Sequence, residues 1–311
     1  MAPKINSGIE ADPNEYPWMA HIIPSHGVGT CAASLVAPNW LLTAAHCFTY
    51  GAEGAYIFLG RHNISMVMNT NDPESVKHRG VISTDIRIHP NFGLVKGTGF
   101  SNYDYALIHV EQGLIDLNEW VQPICLPTRE MCEANSDKNS CHSAHTSGWG
   151  ATEHVYQGGS DVLMKLDLTL VDIQNCTNEF TKANIPLPGL LNDTVHICGV
   201  GELFNASNGQ LLRGDACEGD SGIGLVCDIG PFKYAIGLSS FGTPSNHIRC
   251  GGYQTPGVFS RVCGGIEWIE QEIGEDLYES TWENDDEYDY YYDYDEQQPL
   301  IPIVNESKQF F

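Results

Sequence analysis

The sequence predicts an all-β fold of short antiparallel strands, ending in one short helix and an acidic tail. Residues 16–60 alternate short apolar runs with Gly, Pro and Asn, a pattern typical of short strands joined by tight turns. Strand patterning resumes over 147–170 and again over 237–259. Isoleucines then recur at intervals of three and four residues over 266–273, which predicts a short amphipathic helix.

Length and charge narrow the class of protein. A chain of 311 residues is long enough for one large domain or two smaller ones with well-filled cores. No apolar run approaches the roughly 18–20 residues that a membrane helix needs. The net charge is −25, and residues 275–311 carry 12 acidic residues and one lysine. This balance argues against nucleic acid or an anionic membrane as a partner.

Cysteine content indicates the compartment. Eleven cysteines without a Cys-x-x-Cys pair favour disulfide bonds over zinc, and therefore an oxidising, extracellular location. The opening residues 1–4 lack the apolar segment of a signal peptide. We therefore expect a secreted glycoprotein whose export signal is missing from this sequence. Glycosylation sequons begin at Asn63, Asn175, Asn192, Asn205 and Asn305.

A serine nucleophile is predicted in the stretch Gly214–Gly222. Ser221 lies between small residues, directly after an aspartate, so the backbone can turn sharply and bring its N–H groups close to a reacting carbonyl. A serine hydroxyl is a poor nucleophile unless a base activates it. The motif Leu-Thr-Ala-Ala-His-Cys supplies a candidate base in His46, and Asp-Tyr-Ala-Leu-Ile supplies a candidate orienting acid in Asp104.

These motifs, in the order His46, Asp104 and Ser221, resemble those of the chymotrypsin/trypsin family of serine proteases over about residues 5–274. The resemblance implies two antiparallel six-stranded β-barrels with the site between them and a short C-terminal helix. The implied boundaries are about 5–122 for the first barrel, 123–263 for the second and 264–274 for the helix.

The resemblance also implies a mechanism. Ser221 attacks the peptide carbonyl, and His46 takes its proton and returns it to the leaving amine. Asp104 orients the imidazole, and Ser240 supports this aspartate. The backbone N–H groups of Gly219 and Ser221 form the oxyanion hole. We expect no metal and no cofactor in the reaction.

Lys4-Ile5-Asn6-Ser7-Gly8 resembles the activation site of the family. Residues 1–4 are then a residual pro-segment, and cleavage after Lys4 frees an α-ammonium on Ile5 that pairs with Asp220. A lysine that merely precedes a strand is the alternative for this motif.

The substrate-binding residues follow from the same resemblance. Asp215, six residues before Ser221, takes the place at the floor of the specificity pocket, where a carboxylate favours Arg or Lys before the scissile bond. Gly242 and Gly257 take the places of the glycines that leave the pocket open, and Phe241 lines the adjoining cleft. Taken alone, Asp215 could equally be a turn residue.

The resemblance implies five disulfides and leaves one cysteine over. Cys125 has no implied partner here, and in relatives a cysteine in this setting bridges to an upstream light chain or pro-domain, which we therefore expect as a partner. The five implied pairs are Cys31–Cys47, Cys132–Cys263, Cys141–Cys227, Cys176–Cys198 and Cys217–Cys250.

Two residues depart from the family pattern, and the first of them, Ile223, keeps a second function open. Ile223 stands where the family has a second glycine after the serine, and a branched residue there could demand a different backbone. Arg61 replaces a calcium ligand, so we expect no calcium. The alternative function is a catalytically weak or inactive homologue that acts as a binding module.

The acidic, tyrosine-rich tail, residues 275–311, is predicted to be disordered. A solvated tail is one interpretation. The other is that its tyrosines are sulfated and bind a basic partner.

Overall fold

The fold consists of short strands and a few helices. Within the described residues of this computed structural model there are eighteen strands. The described residues are 8–25, 29–49, 51–65, 80–94, 101–151, 159–185, 191–205, 209, 211–242 and 255–279. The predicted Lys4, Ile5 and Cys250, and the tail beyond residue 279, lie outside them.

Seven strands form the first sheet, in the order β6-β5-β2-β3-β4-β10-β7. The edge strands β6 and β7 are separated by Thr84 alone, so the chain passes directly from one edge to the other and closes the sheet into a barrel. Counted as one bent strand, β6 and β7 bring the barrel to six strands. The bounds are β2 Met19–Pro24, β3 Cys31–Ala37, β4 Trp40–Thr43, β5 Ala55–Leu59, β6 Val81–Ser83, β7 Asp85–Ile88 and β10 Ala106–His109.

The second sheet has the order β1-β12-β11-β16-β17-β18-β13, and a further pairing of β12 with β13 closes six of these strands into a ring. Strand β1 pairs with β12 from outside the ring. The predicted fold class, two antiparallel barrels, is confirmed. The bounds are β1 Ile9–Glu10, β11 Ser143–Gly148, β12 Met164–Val171, β13 His196–Val200, β16 Gly224–Ile229, β17 Phe232–Phe241 and β18 Gly257–Arg261.

Two small hairpins accompany the barrels. They pair β8 (Gly93–Leu94) with β9 (Ser101–Asn102), and β14 (Leu203–Asn205) with β15 (Leu211–Arg213). The second hairpin lies within the long segment after β13 and leads through Gly214 to the predicted pocket residue Asp215.

Helices are short and lie outside the barrels. Their bounds are Ala45–Phe48 (3₁₀), α1 Arg129–Glu133, α2 Ser136–Asn139, α3 Ile173–Lys182, Val262–Gly264 (3₁₀) and α4 Ile266–Glu279. Helix α3 was not predicted from the sequence. Asp172 caps it by accepting hydrogen bonds from the backbone N–H groups of Gln174 and Asn175. The side chains of Cys176 and Phe180, four residues apart, bury its inner face.

The C-terminal helix differs from its predicted bounds. Helix α4 begins at Ile266 and ends at Glu279, five residues beyond the predicted boundary at 274. Ile266, Ile269 and Ile273 are buried, as their spacing predicts. Gly274 does not end the helix, because its φ is not positive and the following residues favour helix.

The largest hydrophobic cluster joins the two barrels. Leu35, Leu41 and Leu107 of the first barrel pack in it with Ile223 and Leu238 of the second. The barrels therefore share one core along their seam, and the predicted catalytic residues lie at the edge of this seam.

Candidate active site

Two neighbouring antiparallel strands bring His46 and Asp104 together. The last residue of β4, Thr43, pairs with the first residue of β10, Ala106. His46 follows β4 and Asp104 precedes β10, so both lie at the same end of the sheet. Nδ1 of His46 is 2.7 Å from Oδ2 of Asp104, and the backbone N–H of His46 donates to Oδ1 over 2.8 Å.

Asp104 is fully buried, and hydrogen bonds compensate its charge. The hydroxyl of Ser240 lies 2.5 Å from Oδ2, and that of Ser101 lies 3.0 Å from the same atom. Burial raises the pKa of Asp104, but the charge of His46 and the hydrogen bonds from His46 and Ser240 lower it below its ordinary value overall. A carboxylate is therefore the stable form at this position.

The pKa of His46 depends on its interaction with Asp104. Burial lowers the pKa of His46, but the charge of Asp104 and its hydrogen bond raise this pKa above the ordinary value of 6.5. Because Nδ1 faces the carboxylate, the proton of neutral His46 is assigned to Nδ1, and Nε2 is left as the basic atom.

Ser221 is fixed by its backbone, which is tied to the first barrel. Its carbonyl oxygen accepts a hydrogen bond of 2.8 Å from the N–H of Ala32. The next residue, Gly222, has φ +82°, and a Cβ there would come within 2.2 Å of Oγ1 of Thr43 and 2.5 Å of the carbonyl oxygen of Ala32. Only glycine fits this turn.

The Ser221 side chain is less constrained than its backbone. Among the described residues, no hydrogen bond joins its hydroxyl to His46. Hydrogen bonds between a nucleophile and its base are often long in the absence of substrate. The hydrogen bond that would pass the Ser221 proton to His46 is therefore not formed between these two described residues.

The predicted oxyanion hole lies on the turn that precedes Ser221. Gly219 has φ +95°, and a Cβ there would lie 3.3 Å from both Cα of Gly150 and Oγ1 of Thr30. Within the described part of the chain, the backbone N–H groups of Gly219 and Ser221 donate to no protein acceptor. Both donors are thus available to an oxygen of a bound molecule.

Asp220 points away from Ser221 into the protein and is fully buried. The backbone N–H of Gly150 donates to its Oδ1 over 2.7 Å, and that of Cys217 donates to its Oδ2 over 3.0 Å. No described cation forms an ion pair with this carboxylate. Burial raises its pKa from 3.8 to about 7, partly opposed by the two backbone hydrogen bonds.

The predicted specificity residues converge on Asp215, which is buried. A Cβ on Gly257 would come within 2.5 Å of Oδ1 of Asp215, and one on Gly242 within 3.5 Å of Oδ2. Both glycines therefore face the carboxylate. Phe241, next to Gly242, ends strand β17 and is half-buried.

Four of the five predicted disulfides join described cysteines. They are Cys31–Cys47, Cys132–Cys263, Cys141–Cys227 and Cys176–Cys198. Cys217 is also disulfide-bonded, and its predicted partner lies outside the described residues. Cys125 has a free, exposed thiol.

The first of these disulfides also bears on metal binding. Among the described residues, one group of side chains is close enough together to hold a metal ion: Cys31, His46 and Cys47. Its two sulfur atoms are joined in a disulfide, so neither is a thiolate ligand. The bond instead ties the residue after His46 to strand β3.

Ile223 is accommodated without a special backbone. Its side chain is fully buried in the core that joins the barrels, and its φ is not positive. Its N–H donates to the carbonyl oxygen of Asp220, and its carbonyl oxygen accepts from the N–H of Ser239. The side chain at this position therefore points into the core, and its backbone needs no positive φ.

Sequence reasoning missed two residues next to Asp104. The first is Ser101, which contacts the carboxylate. The second is His196, whose Nε2 lies 3.2 Å from the carbonyl oxygen of Ser101. Ser101 lies three residues before the aspartate, but no motif marks it, and His196 reaches it from the other barrel.

Similarity to known proteins agrees with this architecture. The family model described as Trypsin matches residues 5–269. This chain belongs to the trypsin family.

Relatives within the trypsin family resemble the chain over most of its length. It is 30% identical to human kallikrein-12 over 271 residues, which cover 86% of this chain and 90% of that protein. It is 30% identical to CLIP domain-containing serine protease B4 of Anopheles gambiae over 272 residues, 84% of this chain and 68% of that protein.

A third trypsin-family relative is longer. The mouse hepatocyte growth factor activator serine protease is 28% identical over 279 residues. The match covers 88% of this chain but only 37% of that protein.

Within the described residues, no helix has the length and apolar character needed to cross a membrane.

Proposed function

We propose that this trypsin-family chain is a secreted serine endopeptidase that cleaves proteins or peptides after Arg or Lys. The observation that carries the proposal is the buried carboxylate of Asp104, which orients His46 with Nε2 free to act as a base. Ser221, the residue that follows Asp220, is the nucleophile.

The reaction runs through an acyl-enzyme. His46 removes the proton of the Ser221 hydroxyl as that oxygen attacks the substrate carbonyl, and then donates the proton to the leaving amine. The N–H groups of Gly219 and Ser221, which have no acceptor among the described residues, stabilise the developing oxyanion, where one donor contributes about 10²–10³ in rate. Water then hydrolyses the ester by the same steps in reverse order.

Specificity resides in the buried carboxylate of Asp215. Since Gly242 and Gly257 face this carboxylate, neither of these two residues places a side chain beside it. A guanidinium or ammonium group in the pocket pairs with the carboxylate by charge-assisted hydrogen bonds.

Activation depends on the buried carboxylate of Asp220. Cleavage between Lys4 and Ile5 creates an ammonium group that inserts and pairs with this buried carboxylate. Since Asp220 lies between Gly219 and Ser221, its ion pair fixes the turn that carries both the nucleophile and the oxyanion donors.

Hydrolysis of short Arg, Lys and Phe amides, after cleavage at Lys4–Ile5, tests the proposal. The control is Ser221→Ala, and Asp215→Ser tests specificity. We expect turnover of the Arg and Lys substrates that is lost in Ser221→Ala and strongly reduced in Asp215→Ser. A preference for Phe contradicts the proposed specificity. A cleaved, folded protein that turns over none of the substrates contradicts the proposed enzymatic activity.

A second function is that of a non-catalytic homologue that binds proteins through the same cleft. Among the described residues the Ser221 hydroxyl makes no hydrogen bond to His46, which fits such a homologue as well as a protease without substrate. The assay above separates the two functions, because a binding module is silent after cleavage while a protease is not.

Cys125 is the proposed link to a further polypeptide. Its exposed thiol is available for a disulfide with an upstream pro-domain or light chain. Peptide mapping of the native protein without reductant tests this link, and an unmodified Cys125 contradicts it.

A further inference from the structure

A second hydroxyl, besides that of Ser240, contacts the carboxylate of Asp104. Ser101 lies in β9 and is 2% exposed. Its Oγ is 3.0 Å from Oδ2 of Asp104 and 2.9 Å from Oγ of Ser240. The residue is therefore buried against both the carboxylate and the serine predicted to support it.

Counting protons limits the acceptors of the Ser101 hydroxyl to two. Each serine hydroxyl can donate one hydrogen bond. If Ser240 donates to Asp104, Ser101 can donate either to the same carboxylate or to Oγ of Ser240. In the first arrangement the carboxylate receives the Ser101 proton directly, and in the second Ser101 strengthens the bond from Ser240. Both arrangements stabilise the negative charge of Asp104.

His196 holds Ser101 from the second barrel. The backbone N–H of Asn192 donates to Nδ1 of His196 over 3.0 Å, so the proton of the neutral ring is assigned to Nε2. Nε2 then donates to the carbonyl oxygen of Ser101 over 3.2 Å. His196 is 1% exposed, and burial lowers its pKa, which keeps the ring neutral.

We propose that Ser101, held in place by His196, is a positioning residue for Asp104 and sets the basicity of His46. The hydroxyl partly neutralises the carboxylate, so the carboxylate stabilises the protonated form of His46 less strongly. Without the hydroxyl, the imidazolium of His46 is favoured more, and the fraction of neutral, active base at a given pH falls.

The inference rests on the proposed function only for its activity measurement. The titration of His46, followed by nuclear magnetic resonance in the full chain, reports on the Asp104–His46 pair even if the protein catalyses nothing. The test variant is Ser101→Ala. The matched control is Ser34→Ala, because Ser34 is a fully buried serine whose hydroxyl has no hydrogen-bond partner among the described residues.

In Ser101→Ala we expect His46 to titrate roughly half a pH unit higher than in the wild type. In the cleaved protein, the acid limb of kcat/KM moves in the same direction, and kcat/KM falls about tenfold, as for the loss of one hydrogen bond to a charged group. Ser34→Ala leaves both pH profiles in place. An unchanged His46 titration in a folded Ser101→Ala overturns the inference.

Two further variants extend the test. Ser101→Cys keeps a weak donor of similar size and should give an intermediate shift, which keeps the test open if Ser101→Ala does not fold. His196→Met removes the donor to Ser101, and its shift should not add to that of Ser101→Ala in the double variant. Fully additive shifts contradict the role of His196.

The outcomes separate this inference from the proposed function. A shifted His46 titration with no turnover in any variant, including the cleaved wild type, supports the positioning role and contradicts the protease. Turnover in the wild type with no shift in Ser101→Ala supports the protease and contradicts the positioning role.

Discussion

The two halves of the candidate site differ in how completely their polar groups are hydrogen-bonded. On the side of the first barrel, both oxygens of Asp104 accept hydrogen bonds and His46 is held by two of them. On the side of the second barrel, the Ser221 hydroxyl makes no hydrogen bond to His46, and Asp220 is buried without a described cation. The base is therefore assembled, whereas no described cation pairs with the buried carboxylate that directly precedes the nucleophile.

The largest expected effect comes from breaking the assembled half. Asp104→Asn removes the charge that orients His46, and we expect kcat/KM for an Arg amide to fall about 10⁴-fold. Since the raised pKa of His46 depends on this charge, the acid limb of the kcat/KM profile should also move to lower pH. In the wild type, activity should fall as the pH drops through a pKa above 6.5.

Asp85→Asn is the matched control for this change. Asp85 also faces a histidine, with Oδ2 3.1 Å from Nδ1 of His109, but on the outside of the first barrel. Its replacement should leave kcat/KM within about twofold of the wild type, as for a surface site. A fall of less than tenfold in Asp104→Asn would show that His46 does not need the carboxylate.

The second prediction concerns how the ionisation of Asp220 changes the free energy of unfolding of the uncleaved chain. A folded pKa of about 7 against 3.8 means that its stabilising contribution is complete below pH 3.8 and is lost as the pH rises through about 7. Asn cannot ionise. The free energy of unfolding of Asp220→Asn, relative to the wild type, should therefore rise by up to about 4 kcal/mol between pH 4 and pH 8.

Urea unfolding at the two pH values measures this difference. The change of hydrogen bonding at Asn adds a constant cost, so the pH dependence is the quantity to compare. After cleavage the sign should reverse at pH 8, because the new ammonium of Ile5 pairs with the wild-type carboxylate but not with Asn. A difference that is the same at both pH values contradicts a buried, unpaired Asp220.

The smallest predicted effect concerns Ile223, on the same side as Asp220. Ile223→Val removes one methylene from a fully buried side chain and should cost about 1 kcal/mol of unfolding free energy. Thermal unfolding and kcat/KM measure the two effects. Because Ile223 packs in the core, activity should stay within about twofold of the wild type. A large loss of activity with little loss of stability would show that Ile223 affects the active site directly.

The sequence predicted the parts of the site that short contiguous motifs carry. His46, Asp104 and the turn around Ser221 each lie in one block of residues, and the barrels follow from strand patterning and family resemblance. The sequence did not predict Ser101 and His196 as site residues, because their contact is made through space between the two barrels. The end of helix α4 escaped for another reason: acidic composition predicts disorder, yet glutamate and leucine are also good helix formers.

The close fit of Gly222 against Thr43 and Ala32 has a consequence for inactivation by heat. The turn that carries Ser221 is clamped to the first barrel by a hydrogen bond and by the lack of space for even a methyl group. Neither barrel can loosen without displacing this turn. Loss of activity and loss of structure on heating should therefore follow one cooperative transition, so that residual turnover reports the fraction of intact molecules and no inactive, half-melted species accumulates.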